Sequence, residues 1–200
     1  MNLTEVRASR FGKGLFAVKK IPAHSVTCKA TGIRLDFNET LRLGERESHC
    51  LQIGADKYIY CQPPFLYSNH SCEPNCGVNA DLELFTLGEI LPSEELLWDY
   101  STSMFERHWT MHCHCGCKEC RHVIRDFDLL PLQLQKKYLR MNIVFPFIKE
   151  IVLQREYAKL YFNRALNTSA WNFSPSVQSV FSSVTENFFP HARQKNIIWF

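Results

Sequence analysis

Apolar and polar residues alternate over the first half of the chain and step at helical spacing near its end. Residues 3–6 alternate and are read as a first strand. Phe16-Ala17-Val18 reads as a second, and residues 25–31, rich in β-branched and small side chains, as a third. Residues 50–53 and 58–60 alternate on either side of Gly54-Ala55-Asp56-Lys57, the pattern of a β-hairpin that Pro63-Pro64 ends. Residues 76–78 and 82–87 make another strand pair around Asn79-Ala80-Asp81. Between these pairs, residues 38–47 are polar apart from Leu41 and Leu43, which predicts one short helix capped by Asn38.

From Asp126 the period changes. Leu134, Tyr138 and Met141 step by four and three after Pro131, which suits a helix start. Ile148, Ile151, Val152 and Leu160 continue an apolar stripe, leaving Lys149, Glu150, Arg155 and Lys159 for water. The aromatics Phe145, Phe147, Tyr157, Tyr161 and Phe162 are read as core. Ser174-Pro175 looks like the cap and first residue of a further helix toward Val177, Val180, Phe181 and Val184.

Composition narrows the class without naming it. The 200 residues are 46% hydrophobic and 22% charged, which suits one globular domain, or a domain with an extension. A net charge of +3 is too small to argue for nucleic acid. No apolar run approaches the ~20 residues that span a bilayer. The N-terminus lacks a basic segment followed by an apolar one, so a reducing, intracellular location is expected. Nine cysteines, an odd number, argue against a closed set of disulfides, and clustered thiols in a reducing compartment point to metal.

The chemistry concentrates in Asn69-His70-Ser71-Cys72-Glu73-Pro74-Asn75. Two amides, an imidazole, a hydroxyl and a thiol follow the apolar run Phe65-Leu66-Tyr67. Pro74 fixes its own φ and biases Glu73 toward extended backbone, so an ordinary helix is excluded here. Polar groups entering a core need hydrogen-bond partners or ligands. Cys113-His114-Cys115-Gly116-Cys117-Lys118-Glu119-Cys120-Arg121 puts four thiols into eight residues, a strong zinc signal. Four local ligands would suffice, with His112 and His114 also at hand. Earlier, Gly12-Lys13-Gly14 predicts a tight turn whose backbone can approach a ligand closely, with the strand at Phe16 leaving it. It is not a dinucleotide fingerprint, because no third glycine and no helix follow.

Together these motifs resemble the SET-domain protein lysine methyltransferases. The seven-residue loop is similar to that family's signature, and Gly12-x-Gly14 to its first motif. Ser93-Glu94-Glu95-Leu96-Leu97-Trp98-Asp99-Tyr100 is similar to the last motif, and Cys113-x-Cys115-x4-Cys120-Arg121 to the post-SET cysteines. The likeness runs from Gly12 to Arg121. Departures are Leu66 for a frequent Arg, Ser93 for Gly, Trp98 for Phe or Tyr, and His122 for Gly. Of these, the larger ring at Trp98 bears most on how many methyls fit.

The resemblance implies an α+β class: a β-rich SET fold of short sheets with a threaded, pseudoknot-like loop over residues 1–112 and a zinc-binding post-SET segment over 113–124. The helical spacing predicts a helical extension over 125–200 packed on that fold, a partner-binding or homodimer surface being the alternative. The resemblance also implies S-adenosylmethionine held by Lys13, Gly14, Leu15, Asn69 and His70, and Tyr100 as the catalytic hydroxyl. Tyr58 and Trp98 would line a lysine channel. Zinc would be held by Cys72, Cys113, Cys115 and Cys120, leaving Cys117 free, with Cys76 a rival for the fourth place. Val123 and Ile124 would be apolar lid residues. The implied partner is a protein carrying a lysine, a histone tail first, and the location nuclear if the cell has a nucleus. A non-histone substrate, or a zinc-stabilised module that binds peptide without catalysis, are the competing readings.

Overall fold

The computed structural model describes residues 2–167, with side chains to residue 158. Twelve short strands and three α-helices are found among them. The strands form five small sheets, none wider than three strands.

Strands β1 (Thr4–Ser9) and β2 (Gly12–Ala17) form an antiparallel hairpin from Thr4↔Ala17 to Ser9↔Gly12. Its turn is Arg10-Phe11, so the two glycines lie in β2 rather than forming the turn expected of them. Gly12 closes the turn at φ +97°, open to glycine at little cost. Strand β3 (Val26–Lys29) pairs with a hairpin arm described below, and β4 (Gly32–Leu35), which the alternation did not single out, edges the next sheet. Helix α1 (Phe37–Leu41) is capped by Asp36, not Asn38. The Asp36 carboxylate accepts from the Glu39 N–H at 2.8 Å while the Glu39 side chain accepts from the Asp36 N–H, a reciprocal box. The helix stops at Leu41, and a 3-10 segment (Gly44–His49) covers the rest of the expected span.

The hairpin predicted around residues 54–57 is present: β5 (Cys50–Gly54) pairs with β6 (Lys57–Cys61), which also pairs with β4. Strands β7 (Asn69–His70), β8 (Cys76–Val78), β9 (Glu83–Thr86) and β10 (Leu97–Trp98) follow. β9 lies between β8 and β3, whereas β10 runs parallel to β7. The stretch before β10 is threaded through the fold. The Ala17 N–H donates to the Glu94 carbonyl and the Leu96 N–H to the Leu15 carbonyl. One residue further the chain turns its bonds to β7, and the Ser71 N–H donates to the Trp98 carbonyl at 3.1 Å. Asn75 holds this crossing with both ends of its amide: it donates to the Glu95 carbonyl (2.8 Å) and accepts from the Leu97 N–H (2.8 Å).

After Tyr100 the chain makes the strand pair β11 (Met111–His112) and β12 (Val123–Ile124), which clasps the cysteine-rich loop between them. Helices α2 (Leu132–Arg140) and α3 (Pro146–Asn167) complete the described chain. Both begin at or next to a proline, where the missing N–H has no helical partner to lose. Tyr138, Ile143, Phe145, Ile148 and Ile151 are buried in the same core as Leu15, Val78, Leu84 and Leu96, so that core crosses position 125. Tyr157 is 75% exposed, against the expectation that it is core: it lies beyond the last turn of α3 that packs on the sheets. The side chains of Lys159, Leu160, Tyr161 and Phe162, and the helix expected at Ser174-Pro175, lie outside the described residues. No helix among the described residues is long and apolar enough to cross a membrane.

Candidate functional site

The parallel pairing of β7 with β10, Leu97↔Asn69 and Trp98↔His70, brings the two most polar motifs side by side. Asn69 turns toward the first hairpin. Its amide donates to the Lys13 carbonyl at 2.9 Å and to Glu95 Oε1 at 2.7 Å. The other Glu95 oxygen accepts from Ser9 Oγ at 3.2 Å. A Cβ on Gly14 would come within 2.2 Å of Glu95 Oε1, so only glycine admits this carboxylate against the β2 backbone. Leu15, next along β2, is fully buried and packs the core. Thus Lys13, Gly14, Asn69 and Glu95 form one polar patch. Glu95 is the member that sequence spacing did not single out.

His70 faces inward. Its Nδ1 accepts from the Tyr100 N–H at 3.2 Å and lies 3.6 Å from Asp99 Oδ1. Burial pushes its pKa down to about 4, although the Asp99 charge opposes this. The ring is therefore neutral near pH 7. With Nδ1 accepting, the network assigns the proton to Nε2, which points at Cys72 Sγ 3.4 Å away. One imidazole so links the backbone of Tyr100 to the thiol of Cys72.

The sulfur atoms of Cys72, Cys113, Cys115 and Cys120 all lie within 4.8 Å of one another. Four sulfurs bound tetrahedrally to zinc at ~2.3 Å would be ~3.8 Å apart. Cys72 and Cys113 are separated by that distance, 3.8 Å. Backbone donors already point at the sulfurs: the Arg121 N–H at Cys72 (3.3 Å) and the Cys115 N–H at Cys113 (3.4 Å). Burial pushes the Cys113 thiol up to about 11 and Cys72 higher still. At Cys115 burial opposes ionisation, but hydrogen bonds from neighbouring amides and thiols bring it down to about 6. Four clustered thiolates need a cation, and the donor set fits a soft divalent one. Cys117 sits outside this quartet, with its sulfur 3.4 Å from that of Cys115. Cys76 lies in the main core within β8. Ile124, expected as a lid residue, is fully buried against Cys72, Met104 and Cys113 instead.

Tyr100 and its neighbours line a cavity of about 80 Å³. Tyr100 donates its hydroxyl to the Ser68 carbonyl at 3.0 Å, and Trp98 Nε1 donates to the same carbonyl at 3.2 Å. The two rings lie 4.8 Å apart, with Trp109 6.5 Å from Tyr100. Burial holds the Tyr100 hydroxyl well above its ordinary pKa, so it is neutral. Tyr58 lines the same cavity and donates to Glu106 Oε2 at 2.5 Å. Ser68, Met104, Glu106 and Trp109 join this wall without any local motif to announce them. Only the tertiary fold brings Glu106 to Tyr58, across 48 positions.

Beneath both regions sits Asp99, whose side chain is fully buried. Oδ1 accepts from Arg121 Nη2 (2.7 Å) and the Ser101 N–H (3.1 Å), and Oδ2 accepts from the Tyr138 hydroxyl (2.8 Å). The residue before Tyr100 is thereby tied to the cysteine loop and to α2.

Comparison with known proteins agrees with this geometry. Residues 12–101 match the SET domain family model. The chain is 27% identical over 137 residues to human histone-lysine N-methyltransferase 2B, covering 59% of this chain and 5% of that protein. It is 40% identical over 95 residues to Drosophila melanogaster histone-lysine N-methyltransferase ash1, covering 42% of this chain and 4% of that one. The chain thus spans about a twentieth of the length of these relatives. Among solved structures, Arabidopsis thaliana SUVH6 in complex with SAM superposes with a TM-score of 0.51 at 23% identity, over 60% of this chain and 32% of that one, a likeness of fold. The chain thus carries a SET domain over residues 12–101, resembles histone-lysine N-methyltransferases there, and has a four-cysteine cluster that joins Cys72 of that span to Cys113, Cys115 and Cys120 beyond it.

Proposed function

We propose that the protein transfers a methyl group from S-adenosylmethionine to the ε-nitrogen of a lysine in a protein substrate. The observation that carries this is the β7–β10 pairing. It places the Asn69 amide beside the Lys13 carbonyl and Gly14, and two residues beyond Trp98 it puts the Tyr100 hydroxyl on an aromatic-lined cavity. The polar patch suits the ammonium of the cofactor's amino-acid end: the Lys13 carbonyl and Glu95 would accept from it, the Asn69 amide holds both in place, and Gly14 allows close backbone approach. Leu15 and His70 back this patch from within the core. The bound cofactor supplies a sulfonium methyl for in-line displacement.

The chain's own residues must deliver a neutral amine. A lysine in water titrates at about 10.4, so only roughly one in a few thousand is neutral near pH 7. A half-open cavity walled by Tyr58, Trp98, Tyr100 and Trp109, once filled by the substrate side chain, would strip water from the amine and lower that pKa. Tyr100, held against the Ser68 carbonyl, orients the amine through its hydroxyl. Being neutral and hard to ionise, Tyr100 acts by position and dipole rather than as a base. Cys72, Cys113, Cys115 and Cys120 would hold zinc, which joins the signature loop to the segment after β11 and keeps His70 in register. A histone tail is the first substrate class to try, since the relatives are histone-lysine methyltransferases, and with it comes a nuclear location in a cell that has a nucleus.

The test is transfer of labelled methyl to core histones and to a histone-depleted lysate. Label on histone lysines supports the histone reading. Label on other bands alone moves the substrate class. Cofactor binding with no label in either sample favours a peptide-binding module.

A further inference from the structure

One half-buried carboxylate on the cavity wall is left unexplained by the roles above. Glu106 follows the 3-10 turn that carries Tyr100 (Tyr100–Thr102) and is anchored through its backbone, whose N–H donates to Asp126 Oδ1 at 3.3 Å. Its side chain lines the same cavity as Tyr100, Trp98 and Ser68, and Oε2 accepts from the Tyr58 hydroxyl. The titratable groups around it come from every packed element: Cys50 from β5, Tyr58 from β6, Glu47 and His49 on the cavity wall, His108 two residues on, and Asp126 after β12. His108 is turned to Glu47 at 3.0 Å, and Arg107 is paired with Asp126 and Asp128. Among the described residues no lysine or arginine forms an ion pair with Glu106. Carboxylates stripped of water and given no cation are costly to keep. This one is placed where a cation must enter.

We propose that Glu106 is the catalytic base of the methyl transfer, taking a proton from the substrate ε-ammonium inside the channel; this rests on the methyltransferase reading above. In the first step an N–H bond of the ammonium breaks, its electron pair stays on nitrogen, and an O–H bond forms on Glu106. Nitrogen then uses that pair to bond the methyl carbon as the carbon–sulfur bond breaks, and sulfur keeps the bonding pair as a neutral thioether. The product is a methylated ammonium, and the proton on Glu106 returns to water when the channel empties. Burial raises the Glu106 pKa above its ordinary value and Asp126 adds to this, while the Tyr58 hydrogen bond, the nearby His108 and the Trp109 N–H limit it. A raised carboxylate pKa and a lowered lysine pKa approach each other, which is the condition for efficient proton transfer. Tyr58, on this account, is a positioning residue for Glu106.

The test measures kcat/KM against pH for wild type, Glu106→Gln and Tyr58→Phe, with cofactor affinity measured by calorimetry in each. Gln keeps an acceptor for the Tyr58 hydroxyl, so unchanged cofactor affinity reports an intact fold. The expected result for Glu106→Gln is a deficit of about 100-fold near neutral pH, within the usual range for a general base, that narrows steadily as rising pH deprotonates lysine without help. In Tyr58→Phe the loss of the hydrogen bond raises the Glu106 pKa further, so the acidic limb of the profile moves to higher pH. A Glu106→Gln deficit that is constant with pH, or no deficit, overturns the assignment while leaving the methyltransferase reading standing. If wild type transfers methyl to no protein, both fall together.

Discussion

Replacing Tyr138 by Phe removes one oxygen from a fully packed position, and with it the short hydrogen bond to Asp99 and a longer one, 3.4 Å, to the Cys72 carbonyl. Tyr138 lies in α2 and is 1% exposed, so the ring stays where it is. Its hydroxyl is the donor to Asp99 Oδ2, at 2.8 Å, whereas both other donors to Asp99 use Oδ1. The substitution therefore leaves one oxygen of a fully buried carboxylate without its donor. A hydrogen bond to a charged group contributes about 1.5–3 kcal/mol, and the loss of one partner at such a site falls toward the upper end because nothing replaces it. Arg121 Nη2 is committed to Oδ1 and Ser101 Oγ, and its Nε and Nη1 make no hydrogen bond to the freed oxygen in this packing. The expected destabilisation is ~2 kcal/mol, read from urea melts of zinc-saturated protein at one fixed zinc concentration, because bound metal adds to apparent stability. Activity should fall with it, since Asp99 precedes Tyr100 and faces His70. A midpoint shift equivalent to less than about 0.5 kcal/mol, the size of an ordinary surface substitution, would refute the claim that α2 braces the site.

Three further outcomes follow from the same geometry. Gly14→Ala should weaken cofactor binding more than tenfold, a loss of ~1.4 kcal/mol or more, with little loss of fold. The new Cβ meets Glu95 Oε1 at 2.2 Å and must displace it from Asn69, and calorimetric titration reads the loss directly. Cys120→Ser should bind less than one equivalent of zinc by elemental analysis, whereas Cys117→Ser keeps one, because only Cys120 belongs to the quartet. Glu106→Gln should melt at a higher temperature than wild type near pH 7. A carboxyl whose folded pKa is raised binds more protons folded than unfolded, so wild-type stability falls as pH rises above the unfolded value, and the advantage of Gln disappears below about pH 4.

What could be read from the sequence is what is local. The hairpin across residues 54–57 was legible because alternation and a turn cluster coincide within twelve residues. The signature loop and the cysteine-rich loop were legible because their side-chain types are rare at that density. The cap of α1 was misread because Asp36 and Asn38 are both good caps, and only the backbone shows that Asp36 is extended while the helix begins at Phe37. Gly14 was read as a turn residue, but what requires glycine there is a carboxylate arriving from 81 positions away. Glu106, Trp109 and Ser68 carry no local signature, because an aromatic cavity is made by distant segments meeting. The pairing of β11 with β12 was equally hidden: two-residue strands have no period to detect.

The most direct test of the central claim is a single-turnover assay of wild type against Tyr100→Phe, with zinc-loaded protein, labelled S-adenosylmethionine and a lysine-containing protein substrate. The account predicts labelled lysine with wild type. With Phe it predicts a rate at least about tenfold lower at unchanged cofactor affinity, since only an orienting hydroxyl is removed. Equal rates in the two proteins, or label on residues other than lysine, would contradict it.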